Sequence, residues 1–216
     1  MSPEPDDALE LSDDDFDLAE DIVVDSPDIA AGYEQLVELW LEHVPEGHPS
    51  LAYVLGVDPV ADGEALLAWV ERGLKAAPLA PDQAGLWFEF IVTDRVVLQV
   101  EQLFLNEPHP DNHDSLWDFG GWDAAAGNPH HHGRFPSAVY PEGYDANRGS
   151  HSRTFDIAYA GLLAAHVGRR LDPALLKLDS PDALFYAGFH DGDAMLVGKL
   201  SHSGGWRPNT GREPVV

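Results

Sequence analysis

Histidine is the residue type whose number and spacing most suggest chemistry in this chain. Neutral imidazole and carboxylate together suit zinc, iron or manganese. Five of the 11 histidines fall between residues 109 and 132, where Asp111 and Asp114 are interleaved with them. Consecutive histidines point in different directions, so an exposed polar loop also explains His130 to His132. As an alternative hypothesis, a metal-dependent hydrolase would take its ligands from this segment: His109, His113, Asp114, His130 and His132.

Other catalytic templates are missing from the sequence. It has no Gly-x-Ser-x-Gly nucleophile elbow, no phosphate-binding loop and no Gly-x-Gly-x-x-Gly fingerprint. With no cysteine, it has no disulfide, no thiolate nucleophile and no cysteine-built zinc site. His151, Ser152 and Asp156 are the residue types of a hydrolase triad, but nearness in sequence is not triad geometry. The sequence therefore favours a non-enzymatic role without a cofactor.

Charge is the feature that points to a partner. The formal net charge is −26, and residues 1–71 contain 20 acidic residues and no lysine or arginine. Adaptation to salt would spread acid over the whole surface, whereas this chain concentrates it at one end. Such a field repels the phosphates of nucleic acids and anionic lipids, so neither is an expected partner. We expect a basic protein instead.

Two segments carry the residues that we expect to contact such a partner. Glu34, Glu38 and Glu42 recur at i, i+4 on a predicted helix, and like charges at this spacing repel each other. Tryptophans beside acids form a second group, and this composition suits binding to a basic surface. Core packing and a solvated helix face are the ordinary explanations. The second group comprises Asp111, Asp114, Trp117, Asp118, Trp122 and Asp123.

Hydrophobic periodicity predicts the elements that position these residues. Helices are expected near 27–44, with Ser26 as the cap, and near 62–76 and 154–170. Density of β-branched and aromatic residues predicts two antiparallel strands within 85–105 and a hairpin of 184–189 with 195–200. A helix over Arg95 to Asn106 is an alternative to the second of these strands, and periodicity does not decide between them. A short strand is expected at 51–57 and a short helix after Asp172. No element is clear in residues 106–153.

These elements predict the α+β class: a small antiparallel sheet packed against about three helices, with a long irregular segment at 106–153. Residues 1–25 are expected to be a disordered acidic tail, 26–202 a single domain and 203–216 a loose C-terminal tail. No apolar run is long enough to span a bilayer, and the first residues do not resemble a secretory signal. A cytoplasmic location is the simplest expectation.

Charge asymmetry and the missing catalytic templates together give the leading hypothesis. It is an acidic binding protein that engages and inhibits a basic protein, as an immunity protein or antitoxin covers a cationic toxin. Complementary charge would speed the encounter, and buried aromatic residues would supply lasting affinity. The oligomeric state is not predicted by the sequence.

Overall fold

The computed structural model describes residues 13–43, 51–76, 78–79, 81, 83–92, 96–105, 117–120, 150–189 and 194–210. Within these ranges only the backbone is described for residues 13–15, 52–53, 89–92, 96–105, 117–120, 150–153, 189 and 194. The described part consists of helices packed against one mixed sheet, so the predicted α+β class is confirmed.

Five α-helices are present in the described part. The three predicted from periodicity are confirmed, with ends that differ by a few residues. A 3-10 turn at Pro173–Leu175 follows Asp172, whose side chain accepts a hydrogen bond from the backbone N–H of Ala174, as expected for a cap. The helices are α1 (Asp13–Asp25), α2 (Ile29–His43), α3 (Leu51–Val54), α4 (Pro59–Ala76) and α5 (Ser150–Arg170).

The sheet has six described strands in the order β3-β2-β1-β4-β5-β6. Four of the five pairings are antiparallel, but β1 and β4 run parallel, so the sheet is mixed rather than purely antiparallel. Pairing of β1 with β4 joins segments about a hundred residues apart, which local sequence does not encode. The strands are β1 (Gly85–Val92), β2 (Val96–Leu105), β3 (Trp117–Gly120), β4 (Asp182–Phe189), β5 (Ala194–Ser201) and β6 (Gly205–Pro208).

Helix α5 is the centre of the fold. It packs against the sheet on one side and against α1, α2 and α4 on the other, and its residues 155–168 are all buried. Small side chains allow this close approach from both sides. At Gly161 an added Cβ would lie 2.9 Å from Val23 Cγ1 on α1 and 3.1 Å from Met195 Sδ on β5. The sequence predicted one apolar side for this helix, whereas the structure buries all of its sides.

Residues 13–25 were expected to belong to a disordered tail, and that expectation is wrong for them. They form α1, whose Ala19 and Val23 are fully buried in the core. Phe16 packs against the same core, which gives an i, i+3, i+7 apolar stripe beneath the acidic residues. Burial of this stripe on α5 stabilises a helix whose charges alone would oppose it.

Two further local expectations are wrong. Residues 51–57 were expected to form a strand, but Leu51–Val54 is a helical turn, and its last carbonyl accepts a hydrogen bond from Tyr33 Oη at 2.8 Å. Residues 205–208 were expected to lie in a loose tail, but they form β6. Trp206 holds this strand by packing over Gly168 of α5, where an added Cβ would lie 2.1 Å from its ring.

Candidate functional site

The predicted acidic stripe lies on the outer face of α2. Glu34, Glu38 and Glu42 are all exposed, because the buried residues of α2 recur on the opposite side at helical spacing. Among the described residues, no lysine or arginine forms an ion pair with any of the three. The buried stripe of α2, which packs on α5, consists of Ile29, Gly32, Tyr33, Leu36, Val37 and Trp40.

The start of α2 differs from the prediction. Asp28, rather than Ser26, caps the helix: its carboxylate accepts a hydrogen bond from the N–H of Ala31 at 2.9 Å. Ser26 is buried, its hydroxyl donates to the carbonyl of Ile22, and its own carbonyl accepts from Arg169 Nη2 at 2.7 Å. The connector between α1 and α2 is therefore tied to α5, which fixes the direction of both acidic helices.

Helix α1 adds a second acidic face to that of α2. It contains seven acidic residues and no basic one, and Asp17, Asp21 and Asp25 are exposed. Burial, followed by the neighbouring carboxylates of Asp17 and Asp21, raises the pKa of Glu20. Like charges on α1 are therefore close enough to influence one another, and no base within the helix relieves them.

Exposed leucines interrupt both acidic faces. Leu18 of α1 is 50% exposed, and Leu41 of α2 is 40% exposed. Leu41 follows Glu34 by seven residues and Glu38 by three, so it belongs to the same outer face of α2. Single exposed leucines are ordinary on protein surfaces. Here each one places apolar area beside negative charge that no lysine or arginine of its own helix offsets.

Most other residues of the predicted sites lie outside the described ranges. Trp117 and Asp118 are located by their backbone alone, in β3 at one end of the described sheet order. The proposed metal ligands and the remaining tryptophan–acid residues stay predictions. They are His109, Asp111, His113, Asp114, Trp122, Asp123, His130 and His132.

Helix α4 carries acids that are used inside the protein. Asp58 caps it by accepting from the N–H of Ala61 at 3.0 Å. One turn later, Asp62 Oδ2 accepts a hydrogen bond from Tyr159 Oη of α5 at 2.7 Å. Burial raises the pKa of Asp62, and burial together with the charge of Asp62 raises the pKa of Tyr159. The pair is thus a half-buried link between α4 and α5.

Glu64 forms the second link from α4 to α5. Its Oε1 lies 3.2 Å from His166 Nε2 and also accepts a hydrogen bond from Arg170. His166 is therefore a core histidine with a satisfied hydrogen bond, since it is 7% exposed and contacts Glu64. Gly63, between the two acids, packs on the imidazole: an added Cβ would lie 2.9 Å from His166 Cδ2.

Two more polar groups lie near the Asp62–Tyr159 pair. Tyr33 packs edge-on against Tyr159 with ring centroids 5.1 Å apart, and Asp156 is buried. Burial, and then the charges of Asp62 and Asp156, raises the pKa of Tyr33. In the part of the chain that the structure describes, no three potential ligands are grouped so that they could hold a metal ion.

Sequence reasoning missed the links between α4 and α5. Their partners are about a hundred residues apart, so no local motif announces them. The available signal was the run Asp62-Gly63-Glu64, which places a glycine between two acids on a helix. Chemically, Asp58, Asp62 and Glu64 at α4 form contacts within the protein, whereas the exposed acids of α1 and α2 remain available to a cation from outside.

Comparison of the chain with protein-family models, curated proteins and solved structures found no match. None of the described helices has the length and apolar character needed to cross a membrane.

Proposed function

We propose that this chain is a non-enzymatic acidic binding protein that engages and inhibits a basic protein, as an immunity protein or antitoxin does, in the cytoplasm. One observation carries the proposal. The outer faces of α1 and α2 present exposed carboxylates, and neither helix contains a lysine or arginine. No nucleic acid or membrane partner is expected, because the same charge repels phosphate groups.

The acidic faces cost the isolated chain stability. Each like-charge pair at i, i+4 on α2 destabilises the helix by roughly 0.2–0.5 kcal/mol. A fold that needed only solubility could mix signs on this face, as α4 does with Glu71 and Lys75. A cationic surface that docks on α1 and α2 would remove this repulsion. The charge arrangement therefore favours the complex over the free protein.

Apolar contacts would hold the complex once charge had brought the partners together. Charge complementarity acts mainly on the association rate, whereas desolvated apolar and aromatic residues determine the lifetime of a complex. Leu18 and Leu41 are exposed within the acidic faces and are suited to this role. The predicted second group of contacts adds tryptophans beside acids: Asp111, Asp114, Trp117, Asp118, Trp122 and Asp123.

Capture from the native host tests the proposal first. Pull-down with the untagged protein at low and high salt, followed by mass spectrometry, should recover a basic protein at low salt and much less of it at high salt. Recovery of only neutral or acidic proteins would contradict the proposal.

Two charge variants then locate the surface. The triple variant E34Q/E38Q/E42Q should slow association with the captured protein by about tenfold or more at low salt, with little change in dissociation. The control E71Q/D179N/D182N removes the same number of charges from α4, the loop before β4 and β4 itself. It should slow association much less. Equal slowing by both triples would show that total charge, and not the face of α2, drives the encounter.

A further inference from the structure

The imidazole of His166 lies in direct contact with the N-terminal half of α4. Gly63 leaves the backbone of α4 against the ring, since an added Cβ would lie 2.9 Å from Cδ2 and 3.1 Å from Nε2. The residue is only 7% exposed. A change in the charge of this ring therefore acts directly on the packing of α4 against α5.

The hydrogen bond to Glu64 fixes the tautomer of the neutral ring. A carboxylate can only accept, so His166 Nε2 carries the hydrogen in the 3.2 Å contact with Glu64 Oε1, and Nδ1 is bare. Protonation would add a hydrogen to Nδ1 and a full positive charge to a buried ring. A full charge on so buried a ring needs compensation from neighbouring charges or from water.

The charges around His166 provide that compensation only in part. Among the described residues, the charged groups that face it are Glu64 from α4 and Arg169 and Arg170 from α5. Glu64 favours a protonated ring, but the same Oε1 already accepts from Arg170. Both arginines oppose a further cation. Burial is the largest of these effects, and the pKa of His166 is lowered from its usual 6.5.

We propose that His166 is a pH-responsive latch, and that its protonation releases the N-terminal half of α4 from α5. Separation of the two helices is the simplest way to bring water to the charged ring. Acidification would thereby uncover Leu66 and Leu67, which are buried residues of α4, before the rest of the fold is affected.

The direction of the pH effect follows from proton linkage. The folded state binds the proton less readily than the unfolded chain, so the docked state is fully favoured above pH 6.5. Its advantage falls as the pH drops from 6.5 toward the lowered pKa, and within that interval the docking equilibrium changes by up to about tenfold for each unit of pH. Asp62 acts with the opposite sign, because burial raises its pKa from 3.8.

Hydrogen exchange of the whole protein at pH 7.5 and 5.5 tests the latch. After correction for intrinsic exchange, amides in the N-terminal half of α4 should lose protection at pH 5.5, whereas those of α2 should not. The variant H166N, which cannot be protonated in this range, should remove the pH dependence of α4. The control H202N changes an exposed histidine in the turn after β5 and should leave it intact.

Three results would overturn the proposal. One is equal loss of protection in α2 and α4 of the wild-type protein, which indicates global unfolding. Another is an unchanged pH dependence of α4 in H166N. The third needs no variant: an NMR titration of the wild-type protein in which His166 has a pKa at or above 6.5.

Discussion

Helices α2 and α4 both pack on α5 with similar apolar stripes, but the acids of the two helices have opposite effects on stability. On α4, Asp62 is bonded to Tyr159, Glu64 to His166 and Arg170, and Glu71 to Lys75. On α2, the three exposed glutamates have no such basic partner among the described residues. The acids of α4 thus stabilise the fold, whereas those of α2 oppose it slightly.

This difference distinguishes acids that stabilise the fold through contacts within the protein from acids that are exposed to solvent. Composition alone assigned negative charge to the whole N-terminal third of the chain. The structure assigns these acids different roles, because α4 begins in the same third and its Asp62 and Glu64 bond to residues of α5. Among the described residues of this third, the exposed acids that neither pair with a base nor cap a helix are therefore fewer than composition suggested, and they lie on the outer faces of α1 and α2.

Truncation of a buried leucine should have the largest effect on the free energy of unfolding, and the effect should be similar for α2 and α4. Leu36 of α2 and Leu66 of α4 are both almost completely buried. The variants L36A and L66A should each lower the free energy of unfolding by about 2–5 kcal/mol, since each leaves a cavity beside α5. Urea denaturation measures both. A cost below 1 kcal/mol for L36A alone would mean that α2 is not docked as described.

Removal of the hydrogen bond between α4 and α5 should lower the free energy of unfolding by less than truncation of a leucine does. It tests a polar contact that α4 makes. Y159F takes away the hydroxyl bonded to Asp62 and leaves a half-buried carboxyl without that donor. The expected cost is about 1–3 kcal/mol, as is usual when a group bonded to a charged partner is deleted. Y33F, which removes only a bond to the carbonyl of Val54, should cost about 0.5–1.5 kcal/mol. A reversal of this order in urea denaturation would contradict a special role for the α4 link.

Loss of the N-terminal cap should destabilise the protein by a similar amount for both helices, and by less than truncation of a leucine does. Asp28 and Asp58 each accept a hydrogen bond from the N–H three residues later. D28A and D58A should each cost about 1 kcal/mol, and D28N and D58N, which keep a capping oxygen, should cost less. Thermal unfolding of the four variants is sufficient to check this. A negligible effect of D28A would contradict the assignment of Asp28, in place of Ser26, as the cap of α2.

Neutralisation of exposed acids should have the smallest effect on stability, with opposite signs on the two helices. E34Q/E38Q/E42Q should stabilise the free protein by about 0.2–0.5 kcal/mol for each of its two like-charge pairs. E71Q should destabilise it by about 0.3–0.5 kcal/mol, because it breaks the i, i+4 pair with Lys75. Both effects should shrink in high salt. The same sign for both variants would abolish the contrast between α2 and α4.

Sequence predicted the elements whose signal is local and repeated. Helices α2, α4 and α5 follow from apolar residues at helical spacing, and β1, β2, β4 and β5 from dense β-branched and aromatic residues. Helix α1 was not predicted because its seven acids are typical of a disordered segment and its apolar stripe has only three members, Phe16, Ala19 and Val23. For short elements such as α3 and β6, four residues are too few for a period to be recognised.

The candidate site was predicted only in part for a related reason. Exposure of Glu34, Glu38 and Glu42 follows from the helical period of α2. The contacts of Asp62 and Glu64 with α5 do not, because they depend on which distant segment packs on α4. Parallel pairing of β1 with β4 is unpredictable for the same reason: it is a property of the assembled chain.

The burial of α5 between two layers has a consequence for synthesis. Its contacts with the N-terminal helices span 97 residues for Tyr159–Asp62 and 143 for Arg169–Ser26. The ribosome therefore produces α1, α2 and α4 well before the helix that covers their apolar stripes. Nascent chains in this condition are prone to associate with one another. Dense negative charge on α1 and α2 makes neighbouring nascent chains repel, so the same carboxylates would protect the unfinished protein from aggregation.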